Sequence, residues 1–310
     1  MNGRFRRARL DHASLFFTGL TGFSTVLILL ILGVLVGFLF IQGGSQLSWR
    51  FITGGTDRDM FDPDKAGILP MIVGTAAKVA LMTVFVIPVG VITAVYLTEY
   101  ARSDSSLTRV IRGAVNNLAG VPSIVFGLFG VGFFISFVGG SMDRLIGGAE
   151  PVWGKPALLW ASLTLAVMTL PVVIVATEEA LRAIAPGLRE ASLALGATRL
   201  ETIVRIVLPN ALPGILTGAI LAVGRAAGEV AVILFTGAAY FLRDLPGSLQ
   251  DKFMDLGYHI YVLSTQSPNI EATRPILFGT VVVLLLLTCT LNLAAILVRA
   301  RIRRQLRAAH

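Results

Sequence analysis

Residues 189–209, from Arg189 to Pro209, read R-E-A-S-L-A-L-G-A-T-R-L-E-T-I-V-R-I-V-L-P. Apolar residues recur at spacings of three and four on both sides of Gly196. Ala191, Leu193, Ala194 and Leu195 precede it, and Leu200, Ile203, Val204 and Val207 follow. That period predicts two short amphipathic helices. A glycine between them permits a sharp turn, and Pro209 suits the start of a further helix because its missing N–H costs nothing there. The segment is too polar to cross a membrane, yet long apolar runs lie on either side of it. Two readings stay open: a hairpin lying on a lipid surface, or a docking element for a partner protein with Glu190 as a charged contact.

Composition explains the apolar flanks. Of 310 residues, 55% are hydrophobic and 14% charged, and mean hydropathy is +0.79. A soluble globule carries about 25% charged residues, so this chain cannot coat itself with polar surface. Cys289 is the only cysteine, which excludes an intrachain disulfide and a cysteine-based zinc site. Six stretches reach the length of about 20 residues needed to span a bilayer: Leu15 to Ile41, Gly67 to Thr98, Ile111 to Val138, Ala157 to Thr177, Asn210 to Ala238, and Ile276 to Val298. The first follows Arg4, Arg6, Arg7 and Arg9. Its apolar run is too long for a signal peptide, so it is expected to remain as an uncleaved helix.

Basic residues orient the bundle. The N-terminus, the 99–112 region, residues 178–209 and the C-terminus together hold sixteen Lys and Arg; the three alternate loops hold eight. The richer side faces the cytoplasm, so both termini are expected inside. Asp57, Asp59, Asp62 and Asp64 gather in the first outer loop. The net charge of +8 belongs beside the apolar runs, where Lys and Arg meet anionic membrane lipid, and nucleic-acid binding is excluded on that placement. Residues 239–275 form the longest outer segment and read as loop, with a short helix expected around Leu249–Leu263.

The spacing of Glu190, Ala191, Gly196, Ile206, Leu208 and Pro209 resembles the EAA loop of bacterial ABC-importer permeases, with Ser192 where that family usually has alanine. Further stretches resemble the phosphate-importer permeases of the PstA family: Tyr96–Tyr100 (Y-L-T-E-Y), Gly120–Gly130 (G-V-P-S-I-V-F-G-L-F-G), Thr169–Leu181 and Val223–Glu229 (V-G-R-A-A-G-E). After Glu229 the chain continues V-A-V-I-L, where the family usually has T-A-P-L-L. The resemblance implies an all-α polytopic membrane protein with the type I ABC-importer permease fold: six transmembrane helices and cytoplasmic termini in the bacterial inner membrane. It implies three regions: 1–66 with the basic tail and first span, a transmembrane domain over 67–298 carrying a coupling loop at 183–209, and a basic tail over 299–310. It further implies import of inorganic phosphate by alternating access, in a complex with a second, PstC-like permease, two PstB-like ATPase subunits and an external PstS-like phosphate-binding protein. ATP and Mg would be used by the ATPase, with no cofactor on this chain. Phosphonate, molybdate, tungstate and sulfate are the neighbouring alternatives.

Arg225 and Glu229 lie four residues apart inside the fifth span, a spacing that places them on one helix face. Ionisable groups at membrane depth cost about 2.5–3.5 kcal/mol on insertion scales and therefore face protein or a water-filled path. An Arg suits an oxyanion because its planar fork matches the oxygens. The resemblance implies that the two line or gate a phosphate path; a structural Arg–Glu pair is the other reading. Lys78 either snorkels toward the outer interface or joins the path. The pairs Gly33/Gly37, Gly214/Gly218 and Gly224/Gly228 favour close helix approach. No catalytic constellation or metal-ligand spacing is present: the three histidines are scattered, and Gly154-Lys155-Pro156 lacks the rest of a phosphate-binding loop. A membrane hydrolase built on Glu178 and Glu179 lacks a nucleophile. A self-sufficient channel would have no use for a coupling loop.

Overall fold

The computed structural model describes residues 12–56, 60–102, 104–147 and 150–308. The basic cluster Arg4–Arg9 and the acids Asp57 and Asp59 lie outside them. Thirteen α-helices follow in order among the described residues. They are α1 (His12–Gly43), α2 (Trp49–Thr53), α3 (Leu69–Val95), α4 (Ser106–Ala119), α5 (Ser123–Phe129), α6 (Gly140–Ile146) and α7 (Leu158–Arg182). Then come α8 (Pro186–Ala194), α9 (Arg199–Thr202), α10 (Leu208–Ala227), α11 (Ile233–Thr236), α12 (Leu256–Thr265) and α13 (Ile270–Ala308). Three π-helical stretches prolong them: Tyr96–Tyr100 after α3, Gly130–Gly139 between α5 and α6, and Ile203–Val207 between α9 and α10. Six continuous helical segments are long and apolar enough to cross a membrane: Ser14–Gln46, Leu69–Tyr100, Ser123–Ile146, Leu158–Arg182, Arg199–Ala227 and Ile270–Gln305. Prolines sit where a helix tolerates them or bends, Pro70 in the first turn of α3 and Pro88 and Pro171 within α3 and α7.

The centre of the bundle is α3, α7 and α10. Val79, Met82 and Val86 pack with Leu165, Met168 and Val173 and with Ala222, Val223 and Ala226. Small residues let these helices approach: a side chain on Gly90 would strike Val173, and one on Gly214 or Gly218 would strike Ala180 or Ala176. The Gly214/Gly218 pair is therefore a packing device, as its spacing suggests. A Cβ on Gly33 or Gly37 would meet nothing within 4 Å among the described residues. α1 lies apart from the bundle core, against α13, and exposes most of its apolar side chains, as lipid contact requires.

Two spans depart from the expected continuous helices. The stretch foreseen over Ile111–Val138 is broken at Gly120–Pro122, between α4 and α5. Pro122 causes this, since it cannot donate and pushes the residue before it out of the helical region. The stretch foreseen over Asn210–Ala238 ends as a helix at Ala227. The outer segment 239–275 is exposed over much of its length but packed in its middle. Phe253, Met254, Asp255 and Leu256 are buried, Ala238 bridges Phe253, and its helix runs over Leu256–Thr265, later than expected.

Candidate functional site

The break in the fifth span places the charges differently from the expected shared helix face. Arg225 stands in the last turn of α10 and is exposed, while Glu229 lies beyond the helix end and is half-buried. No ion pair joins them among the described residues. Two local causes act together. Gly228 costs about 1 kcal/mol relative to alanine in a helix, and the Glu229 carbonyl accepts a hydrogen bond from Lys78 Nζ at 3.2 Å. The Glu229 carboxylate instead accepts from Ser123 Oγ at 3.3 Å. The two helix breaks, Gly120–Pro122 and Gly228 onward, thus meet at a polar contact. Irregular backbone at membrane depth persists only where protein covers it or it lines a cavity.

Lys78 resolves into neither of its two expected roles. Its side chain is fully buried and forms an ion pair of 2.7 Å with Asp255, which is also fully buried. Asp255 Oδ2 accepts from Thr75 Oγ1 at 2.8 Å, and its Oδ1 caps α12 by accepting from the Tyr258 amide at 3.1 Å. Thr75 Oγ1 in turn accepts from the Leu256 amide at 3.0 Å. One knot therefore joins α3, the broken fifth span and the inserted outer segment. Each charge has a partner and further hydrogen bonds, the condition under which a buried pair is tolerated.

The inner end of α3 is tied to the 183–209 loop. Arg189 donates to Glu99 Oε1 at 2.9 and 3.2 Å, and also to the carbonyls of Leu181 and Ile184. Arg199 donates to the Glu99 carbonyl and stacks over the Tyr100 ring at 5.2 Å. The loop itself is the expected pair of helices. Gly196 turns the chain at φ +88, a left-handed value that suits glycine, and Thr198 and Glu201 form a capping box at α9. Ser192 Oγ meets Thr202 Oγ1 at 2.9 Å, linking α8 to α9. Glu190, Ala191 and Gly196 are exposed; Ile206, Leu208 and Pro209 are half-buried where the hairpin joins the fifth span. Leu188 and Leu193 are half exposed and Leu195 is 90% exposed, an unpartnered apolar patch beside Glu190.

Residues 86–304 match the family described as binding-protein-dependent transport system inner membrane component. The chain belongs to this family. It is a multi-pass component of a membrane transport system. It is 34% identical over 291 residues to the probable ABC transporter permease protein YqgI of Bacillus subtilis, covering 90% of this chain and 92% of that one. It is also 34% identical over 235 residues to the phosphate transport system permease protein PstA 1 of Mycobacterium tuberculosis, covering 75% of this chain and 70% of that one. Among solved structures, a bacterial alginate ABC transporter crystallised with its periplasmic protein superposes with a TM-score of 0.63 at 16% identity, over 91% of this chain and 92% of that one. The fold is that of type I ABC-importer permeases.

Sequence reasoning named the hairpin residues of this permease and both charges of the fifth span. It missed Asp255 and Thr75, and it read Glu99, Ser123 and Arg189 only as parts of longer stretches. One signal pointed to Asp255: an acid set among Phe253, Met254 and Leu256 interrupts an otherwise apolar run in a polar loop. Among the described residues, no group of three or more His, Cys, Asp or Glu could hold a metal ion.

Proposed function

We propose that this chain is one of two permease subunits of an ATP-driven importer and that it moves inorganic phosphate inward by alternating access. The observation that carries the reading is the interrupted fifth span, which leaves Arg225 exposed at a helix end and sets Glu229 just beyond it. The similarity to proteins named as phosphate transport permeases supports phosphate as the cargo. An exposed guanidinium at membrane depth needs water or a partner, and its fork fits two oxygens of a tetrahedral oxyanion. Glu229 moderates the attraction, so that the anion is held weakly enough to leave.

The exposed hairpin supports the other half of the reading. Glu190, Ala191 and Gly196 present a surface to a cytoplasmic ATPase, and Ile206, Leu208 and Pro209 carry its motion into the fifth span. The partners are a PstC-like second permease, two PstB-like ATPase subunits that bind ATP and Mg, and a PstS-like external phosphate-binding protein. Similarity to a phosphate transport system permease named PstC agrees with pairing between two related permeases. The test is ATP-dependent uptake of radiolabelled phosphate by the complete complex in proteoliposomes, with phosphonate, molybdate, tungstate and sulfate as competitors. Saturable phosphate uptake that only excess phosphate abolishes supports the assignment. Uptake of another oxyanion in its place overturns it.

A further inference from the structure

α4 carries a polar face that none of the contacts described so far uses. On a helix of 3.6 residues per turn, Arg109, Gly113, Asn116, Asn117 and Gly120 fall within one sector. Arg109, Asn116, Asn117 and Gly120 are exposed and Gly113 is half-buried. The opposite side is apolar and packed: Ile111 and Val115 join the cluster built on Leu97, Ile174 and Leu181, and Thr108 is buried. Arg112, at the edge of the packed side, donates to Glu178 at 2.8 Å and to the Leu97 carbonyl at 3.1 Å.

Position gives this face its meaning. The Arg112–Glu178 pair anchors α4 beside the inner end of α7, and Ser123, just beyond the helix, reaches Glu229 at the break of the fifth span. From Arg109 to Gly120 the stripe runs about 16 Å at 1.5 Å per residue. It therefore leads from the cytoplasmic turn to the contact between the two helix breaks. A cavity of about 70 Å³ lies beside it, bounded by Arg112, Asn116 and Glu178 among others. That is roomy and polar enough for ordered water. Carboxamides turned toward hydrocarbon would cost several kcal/mol each, so the stripe needs water or protein against it.

We infer that this stripe lines the inner half of a hydrated path for a tetrahedral oxyanion, continuing inward from the Ser123–Glu229 contact. Asn116 and Asn117 offer uncharged N–H donors that replace hydration without trapping the ion, and Arg109 draws anions at the cytoplasmic mouth. Gly113 and Gly120 keep the face free of bulk. The inference rests on the oxyanion-import reading above, but its first test does not depend on which anion is carried.

Asn117→Cys, Asn116→Cys and, as a comparator on the exposed apolar flank shared with Leu107 and Val110, Ala114→Cys are made in a Cys289→Ser background. Arg102→Cys reports the cytoplasmic turn. The complete complex in inside-out vesicles is treated with an anionic and with a cationic membrane-impermeant methanethiosulfonate, before and after trapping with ATP and vanadate. The expected result is modification at 116 and 117 about tenfold faster than at 114, a ratio equal to about 1.4 kcal/mol. Trapping should slow it by a similar factor at 116 and 117 but leave Arg102→Cys unchanged, and the anionic reagent should react faster than the cationic one. Modification unaffected by trapping would make α4 an interfacial helix and overturn the inference. Sites as unreactive as Ala114→Cys would show a face covered by protein or lipid, also overturning it. A preference for the cationic reagent would overturn the oxyanion assignment of the stripe. State-dependent, anion-preferring labelling in a complex that transports no phosphate would leave the stripe standing and sink only the phosphate reading.

Discussion

Lys78 Nζ lies 2.7 Å from Asp255 Oδ2, and neither side chain has any exposed surface. The pair fastens the second span to the outer segment, and the same ammonium holds the Glu229 carbonyl where the fifth span stops being helical. A charge buried without a partner costs about 3–5 kcal/mol, whereas replacing both members by apolar residues is often neutral. Lys78→Met and Asp255→Asn should each lower the thermal stability of the purified complex strongly. Lys78→Met/Asp255→Leu should recover part of it, short of wild type because the α12 cap from Asp255 and the bond to the Glu229 carbonyl are also lost. Scanning calorimetry of the three variants checks this; a double variant no better than the singles contradicts the account of the pair.

The inner end of the same span offers a second test. Arg189 is 21% exposed and Glu99 10%, so their pair is partly shielded and does not behave as a surface contact worth about 0–1 kcal/mol. Glu99→Gln should loosen the hairpin from α3. ATP hydrolysis should persist while substrate moved per ATP falls by about threefold or more. Parallel ATPase and uptake assays read the ratio. Equal losses in both would point to misfolding.

The hairpin and the six apolar stretches were legible because both are short-range patterns, a helical period around Gly196 and runs long enough to cross a bilayer. The breaks were harder to read. Gly228 and Pro122 are ordinary residues in membrane helices. Pro122 breaks its helix locally, whereas the break at Gly228 also draws on the hydrogen bond from Lys78 to the Glu229 carbonyl, and the Ser123–Glu229 contact joins the two breaks. Asp255 lies far from Lys78 in sequence, and no local pattern joins a loop acid to a membrane lysine. The cost of burying charge and the resemblance over Val223–Glu229 both point to Arg225 and Glu229, but the expectation that they share a helix face assumes an unbroken helix.

Ser192, which stands where the EAA loop usually has alanine, bonds Thr202 across the hairpin. Ser192→Ala should cost about 0.5–1.5 kcal/mol, the usual net worth of such a bond. Gly196→Ala should cost about 1–2 kcal/mol by forcing a Cβ into left-handed backbone. Hydrogen exchange over residues 186–202 should quicken in both variants while α7 keeps its protection. Unchanged exchange in Gly196→Ala would contradict the turn described here.

His259, in α12 and outside the six spans, is buried, and that burial pushes its imidazole down from 6.5 to about 4. The folded protein therefore keeps it neutral while the unfolded segment binds a proton below about pH 6.5. Between those values the unfolded state holds more protons, so stability falls as pH drops, by up to about 1.4 kcal/mol per pH unit. Above about pH 6.5 the group contributes no pH dependence. Thermal melts of the complex from pH 7.5 to 4.5 should show this slope, and His259→Gln should flatten it. An unaltered slope in the variant would assign the dependence to other groups.

Arg225, exposed at the broken end of the fifth span, is proposed to handle the transported anion. The most direct measurement is ATP-dependent phosphate uptake by the reconstituted complex with Arg225→Gln beside wild type, together with ATPase activity and subunit assembly. Uptake is expected to fall at least about a hundredfold, a loss near 2.7 kcal/mol, with assembly and ATP hydrolysis retained. Uptake within about twofold of wild type would contradict it.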